Sequence, residues 1–230
     1  MSPLHAGPGR AASAGRIDRD VRVSLRTRDL VVVSWPIARD DAERLLPAGL
    51  EPATVDGRFL ISLVAMRHEG TPRYRQINIR TYVAHEGEEA VYFLVTRVTG
   101  PGLVGALLGA PFAPSRIAVG PGLVEAPGLG VSLRYRIGDE TDPGTIGRHE
   151  IGIFGRTRLR TIRIRRGAAV WRRAVAEGHV RADPIAVYGF NPDEPADLLY
   201  AEQAQLELER RPTRLRLPVQ TRKIDSTGPV

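Results

Sequence analysis

The sequence contains no cysteine, so disulfides and thiolate metal sites are excluded. Lysine is nearly missing: Lys223 is the only one, and the other 32 of the 33 basic residues are arginine. No apolar run approaches the roughly 20 residues that a membrane-spanning helix needs. Met1 to Gly15 carries a single basic residue and no apolar stretch. That is unlike a signal peptide and reads as a floppy tail, with a cytoplasmic location as the expectation. The five histidines show no metal-ligand spacing on any one predicted element, so no metal site is expected.

The 230 residues fit one large β-rich domain or two small ones, and the 42% of hydrophobic residues suffices for a sizeable core. The formal net charge is +7. Arginine used in place of lysine has two readings: the codon bias of a GC-rich genome, or guanidinium forks for phosphate or nucleic acid. Because the arginines are spread along the whole chain, the compositional reading is preferred.

Residues 1–18 read as a disordered tail, 19–211 as the folded domain and 212–230 as a second tail. Val21, Val23 and Leu25 alternate with Arg22, Ser24 and Arg26, which predicts strand through residue 35. Residues 39–47 predict a short helix capped by Asp40 or Asp41, with Leu45 and Leu46 facing inward. Residues 58–69, 74–87 and 89–99 predict strands, the last two joined at Gly87 as a hairpin. Leu103 to Leu108 form a helical turn or two between Gly/Pro brackets. Residues 154–178 predict a hairpin turning at Arg166-Gly167, with a bulge near Thr161 where the arginine parity changes. Its arginines, Arg156, Arg158, Arg160, Arg163 and Arg165 among them, read as the charged face of a solvated edge strand. Residues 205–211 alternate like a strand, with a helix over 196–210 as the alternative. The total is eight to ten strands and two or three short helices: an α+β, mainly β chain whose antiparallel sheets curl into a barrel or sandwich.

The segment 76–83 carries the chemistry. On a strand, Gln76, Asn78, Arg80 and Tyr82 share one face, and Ile77, Ile79, Thr81 and Val83 the other. The second face is core. The first is either solvated or, with its amides, guanidinium and phenol, a ligand-binding face. His68 shares a strand face with Ser62, Val64 and Met66, and is either a satisfied core histidine or a pocket acid/base. His85 and His179, beside turn glycines, are expected at the surface. His5 lies in the tail, and His149-Glu150 reads as a surface ion pair. The glycine-rich stretch 100–111 lacks the ending and context of a phosphate loop. It reads as a crossover at a pocket mouth, with Leu103, Leu107 and Phe112 as apolar lining and Arg116 as a further charged contact.

Four stretches then become familiar together: SWPIARDDAERLLPAGLEPATVDGRFLISLVAMR, INIRTYVAHEGEEAVYFLV, APFAPSRIAV and DLLYAEQAQLELER. Over residues 20–211 their order resembles the YqjF-like family of uncharacterised bacterial proteins, in the acetoacetate decarboxylase-like superfamily. The resemblance implies a curved antiparallel barrel enclosing a small-molecule pocket, with the INIRTYV strand lining it and Arg80 pointing inward. It also exposes two departures. The decarboxylases place a Schiff-base lysine after a Gly-Tyr-Pro motif, and the corresponding Gly109-Ala110-Pro111 is followed here by Phe112. The superfamily often has a glutamate where Gln76 stands. An imine needs an amine, and an amide is no general acid.

The expectation is an enzyme that needs no imine and no cofactor. Arg80 would anchor a carboxylate or enolate, with Gln76 and His68 as further catalytic candidates. Asn78, Tyr82, Phe112, Arg116 and Leu107 would bind the substrate. Proton transfer, dehydration, cyclisation and aldol-type chemistry are the candidate reactions. A non-catalytic small-molecule binding protein is the alternative, and a basic nucleic-acid-binding module the weaker third reading, since aromatics for base stacking are missing beside the arginine run. A homo-oligomer is compatible with all three. Glu125, Asp139 and Glu150 are the acids that could instead fold over Arg80 and make it structural.

Overall fold

A computed structural model describes residues 22–85, 87–100, 110–147, 150–155, 159–183, 195 and 197–211. The expected tails, His5, Leu103, Leu107, His149, Arg156 and Arg158 lie outside the described residues. In chain order the elements are β1 (Arg22–Pro36), α1 (Arg39–Leu45), β2 (Glu51–Pro52), β3 (Leu60–Glu69), β4 (Tyr74–His85), β5 (Glu88–Val98), β6 (Ala113–Pro114), β7 (Ala118–Gly120), β8 (Leu123–Ala126), β9 (Val131–Glu140), β10 (Ile151–Phe154), β11 (Arg160–Arg166), β12 (Trp171–Ala176), β13 (Arg181–Ala182) and β14 (Asp197–Arg211). The strands beyond those expected are mostly short pairings such as β2, β6 and β13. Among the described residues, no helix is long and apolar enough to cross a membrane.

Seven strands close a barrel in the order β1-β3-β4-β5-β10-β11-β14, with β14 returning to β1. Most pairings are antiparallel. The exception in the barrel wall is β5 with β10, and a parallel pair needs a long crossover. That crossover carries β6 to β9, and β9 with β12, β8, β7 and β13 forms an outer sheet joined to the barrel through β14.

Two bulges keep the right side chains inside while the wall curls. On β1 the register slips between Arg28 and Val31, so Leu25 and Thr27 face inward before the slip, and Leu30, Val32 and Ser34 after it. Asp29 sits at the slip with φ +50°, a conformation that aspartate tolerates. Its buried carboxylate accepts the Tyr200 hydroxyl at 2.9 Å and pairs with Arg67 at 2.6 Å. On β5, Val95 pairs with Ile79 but Phe93 with Arg80. Leu94 is therefore the extra residue, and Phe93 and Thr96 both stay on the inner face.

The expected hairpin over 154–178 does not form. β11 and β12 do not pair with each other; they lie end to end in one register along the same edge of β14, β11 on residues 206–211 and β12 on residues 199–201, while β1 takes the other edge. β11 runs in unbroken register from Arg160 to Arg163 beside β10, so there is no bulge at Thr161. Nor is β11 an edge strand, because it is paired on both sides. The arginine parity has a simpler cause: Ile162, Ile164 and Arg166 take the inner face, and Arg163 and Arg165 the outer. The alternation at 205–211 belongs to a strand, which removes the helix alternative.

Smaller corrections follow the same logic. Neither Asp40 nor Asp41 caps α1; Ala38 holds the cap position with no side-chain hydrogen bond, and both aspartates sit in the first turn, where they favour the positive helix end. Leu45 and Leu46 are half-buried, and Ala42 is the buried residue of the helix. His85 is buried at the end of β4, because the hairpin turns two residues later, at Gly87 with φ +78°. His179 is exposed as expected.

Gly152 of β10 serves a close approach. A Cβ there would lie 2.7 Å from Phe93 Cε2 and 3.1 Å from Ile164 Cδ1. Gly152→Ala is therefore expected to destabilise the protein by about 1–3 kcal/mol through overpacking, read from the midpoint of urea unfolding. An unchanged midpoint would mean that the Phe93 ring shifts freely.

Candidate functional site

The polar face of β4 points into the barrel. Gln76, Asn78, Arg80 and Tyr82 are all buried, and Arg80 is only 2% exposed. Opposite them on β3 are Met66, Val64 and Ser62, and on β5 Val98, Thr96, Phe93 and Val91. The interior is otherwise apolar: Leu30, Val32, Phe154, Ile162 and Leu199 contribute to the same cluster. Phe93 stacks on Phe154 with centroids 4.2 Å apart. Phe112, half-buried against this cluster, sits 6.0 Å from Phe154. An aromatic wall thus stands near Arg80, whose cross-strand neighbour is Phe93.

Polar atoms in such an interior need partners. The hydroxyls of Ser34, Ser62 and Tyr82 form a chain, 2.7 Å between the serines and 2.8 Å from Ser62 to Tyr82. Arg80 is different. Its Nε and Nη2 are buried without a hydrogen-bond partner, as are Asn78 Oδ1 and Thr96 Oγ1. Its guanidinium carbon lies 5.6 Å from the Tyr82 ring centroid, a cation–π contact that offsets only part of the desolvation. Glu125, Asp139 and Glu150 do not cover it. Among the described residues, no ion pair involves Arg80.

Sequence reasoning missed Arg166. It ends β11 on the inner face, because β11 is barrel wall rather than hairpin edge. Its Nη1 donates to the carbonyls of Ile146 at 3.3 Å and Gly147 at 3.1 Å, and its guanidinium carbon lies 5.9 Å from the Trp171 ring. Burial first, and the positive charge of Arg80 second, push its pKa down to about 9. The available signal was the parity of Ile162, Ile164 and Arg166, once the strand's other neighbours were known.

His68 and Gln76 form a second polar pair at the other end of the inner face. The imidazole Nε2 and Gln76 Oε1 are 3.0 Å apart, so Nε2–H donates, and the ring stacks on Tyr74 at 4.1 Å. Burial pushes the His68 pKa down to about 4, with the bond to Gln76 pulling weakly the other way. His68 and Tyr74 also line a cleft of about 290 Å³ together with Arg73, Arg75 and Thr99. Gln76 and Arg80 are four residues apart on one strand, roughly 13 Å. The three catalytic candidates therefore divide: His68 with Gln76 at one end, Arg80 with Asn78 and Tyr82 further in. Arg116 joins neither group. It is exposed, because the following Ile117 turns into the core between barrel and outer sheet. Among the described residues, no group of three or more histidine or acidic side chains could hold a metal ion.

A closed barrel of this topology, with an outer sheet carried on the β5–β10 crossover, is the fold of the acetoacetate decarboxylase-like proteins. The structure of the enduracididine biosynthesis enzyme MppR, complexed with the condensation product of pyruvate and imidazole 4-carboxaldehyde, aligns with a TM-score of 0.57 at 16% identity, covering 91% of this chain and 98% of that one. An acetoacetate decarboxylase-like enzyme from Sphingomonas wittichii RW1 gives 0.57 at 14%, covering 85% and 94%. Acetoacetate decarboxylase from Legionella pneumophila gives 0.58 at 11%, covering 93% and 100%. At these identities the likeness is one of fold. The chain itself belongs to the DUF2071 family of uncharacterized conserved proteins, whose model matches residues 24–159. No functionally curated protein matches it.

Proposed function

We propose that this protein is a small-molecule enzyme that uses the acetoacetate decarboxylase-like barrel without imine chemistry. Its substrate is a carbonyl compound bearing a carboxylate. The observation that carries the reading is Arg80, buried with Nε and Nη2 unpartnered. A buried guanidinium without an anion is costly by several kcal/mol, and a carboxylate or enolate oxygen pair matches its fork. That the related fold in MppR holds a pyruvate condensation product supports a ligand of this class.

In this reading Arg80 anchors the acid group and Phe93, Phe112 and Phe154 pack the remainder. Asn78 and Tyr82 orient the carbonyl, and the Ser34–Ser62 hydroxyls hold Tyr82 in place. Gln76 fixes the tautomer of His68, whose Nδ1 then has only a lone pair to offer a substrate long enough to reach it. Phe112 takes the place of the decarboxylase lysine, and Lys223, the only lysine, lies outside the described residues. Proton transfer α to the carbonyl, loss of a β-hydroxyl, and aldol-type or cyclising attack by the α-carbon can each pass through an enolate that Arg80 could stabilise. A non-catalytic binding protein is the second reading, favoured by the non-titrating Asn78 and Thr96 beside Arg80.

The test is borohydride reduction in the presence of pyruvate or acetoacetate, followed by intact-mass measurement. The expected mass is unchanged. A covalent adduct on any internal residue would overturn the imine-free reading.

A further inference from the structure

We infer that the ligand of this barrel carries two negative charges, taken up jointly by Arg80 and Arg166. The inference rests on the reading of Arg80 as the ligand's anchor and adds the second charge.

The two guanidinium groups reach the same interior from different strands. Arg80 comes from the middle of β4, and Arg166 from the end of β11 where β14 passes from β11 to β12. Arg80 is 2% exposed. Arg166 is half-buried as a residue, but its Nε is fully buried and, like Arg80 Nε and Nη2, has no hydrogen-bond partner. The two are close enough for the charge of one to weaken proton binding by the other. Tyr82 packs its ring against the Arg80 guanidinium, and Trp171 does the same for Arg166; Tyr82 and Trp171 belong to the same interior cluster.

Like charges in a low-dielectric interior repel, and each also loses its hydration. Arg166 is partly compensated by two carbonyls and the face of Trp171. Arg80 has only the Tyr82 ring. Among the described residues, the acids that pair with arginine do so with other arginines, such as Asp29 with Arg67 and Glu209 with Arg22. A monoanion on Arg80 would leave one buried positive charge unbalanced, whereas a doubly charged ligand leaves none. Buried ions are tolerated when paired and hydrogen-bonded, so the site is selective for a dianion over a monoanion or a neutral molecule. The unpartnered Thr96 Oγ1 and Asn78 Oδ1 supply hydrogen bonds alongside.

The test uses the purified full chain and calorimetric titration with succinate, glutarate and adipate, each against the monocarboxylate of equal length, and with inorganic phosphate. Wild type, Arg166→Gln, Arg166→Lys and Arg80→Gln are compared, with circular dichroism as the check on folding. At least one doubly charged probe is expected to bind about 10-fold or more tighter than its monoanion, a difference set by one charge-assisted pair. Arg166→Gln should erase that preference by weakening dianion binding far more than monoanion binding, Arg166→Lys should retain part of it, and Arg80→Gln should lose both. Phosphate binding tightest of all would support the inference with both forks on one group; a dicarboxylate binding tightest would support it with one group on each. Equal binding of mono- and dianions that is insensitive to Arg166→Gln but lost in Arg80→Gln overturns this inference and leaves the Arg80 anchor standing. Binding unaffected by Arg80→Gln, or no binding of any probe by wild type, overturns both.

Discussion

Replacing Arg80 by methionine is expected to make the ligand-free protein more stable and the ligand weaker. Both effects come from the same atoms. The guanidinium is dehydrated at 2% exposure, with Nε and Nη2 unpartnered, and the charge of Arg166 acts on the same interior. Methionine follows the arginine stem about as far as Nε, carries no charge and is flexible enough to settle against Phe93, the cross-strand neighbour of position 80. Exchanging buried charges for well-packed apolar groups is often stabilising by roughly 1–4 kcal/mol, and the isolated cation here should fall within that range. Urea unfolding without ligand measures it. Binding of an anion, measured by titration, should weaken by about 10- to 100-fold as a charge-assisted bidentate contact is lost. Arg80→Lys should keep the charge and lose the fork, falling between the two. If Arg80→Met instead lowers stability, the guanidinium is already compensated in the empty barrel and serves the fold.

Acid should act on this protein through His68. The ring is 3% exposed, and burial holds its pKa at about 4, below the ordinary 6.5. A histidine kept neutral in the native state gains its proton more readily when the chain unfolds. Below about pH 6.5 the unfolded state binds more protons, so stability falls as pH falls, and the loss levels off below the native value near 4. Two and a half pKa units correspond to about 3 kcal/mol, a large share of the stability of a small domain. Unfolding free energies measured from about pH 7.5 down to about 4.5 in wild type and His68→Asn check this. The variant should show a flatter dependence, by roughly 2–3 kcal/mol across that window. Parallel curves would mean that His68 titrates alike in the native and unfolded states, and then its hydrogen bond to Gln76 must offset its burial.

Much of this molecule was legible from alternation. A strand with amides and arginine on one face and isoleucines on the other has few ways to be satisfied, and the order of neighbouring motifs chose the barrel interior for the polar face. Arg80, Asn78 and Tyr82 were therefore placed on the inner face, where the structure has them, along with the β4–β5 hairpin around Gly87. Arg166 was not, because its role depends on which strands flank β11. The strong turn signal at Arg166-Gly167 suggested a local hairpin, whereas the actual partner, β14, begins some thirty residues later. The bulges at Asp29 and Leu94 were equally hidden. Each corrects parity against a distant strand, and local periodicity carries no record of that. Arg116 illustrates the reverse error: charge near a pocket motif suggested a contact, but the apolar Ile117 beside it decides which way that short segment turns.

The seam between β1 and β14 has a consequence for how the chain acquires its fold. The register runs from Arg22 opposite Glu209 to Ser34 opposite Asp197, and Thr27 donates to the Ala204 carbonyl across 177 positions of sequence. Every contact on that seam is non-local, so nearly the whole chain must be ordered into a loop before any of them repays the entropy of closure. On the ribosome, β1, β3, β4 and β5 emerge able to form a meander whose β1 edge is long, apolar and unpaired. That edge waits for β14, the last strand among the described residues, and an apolar edge left waiting is the usual route to aggregation. The wall that encloses the arginines thus closes only once β14 has been made, and its assembly should set the pace of folding.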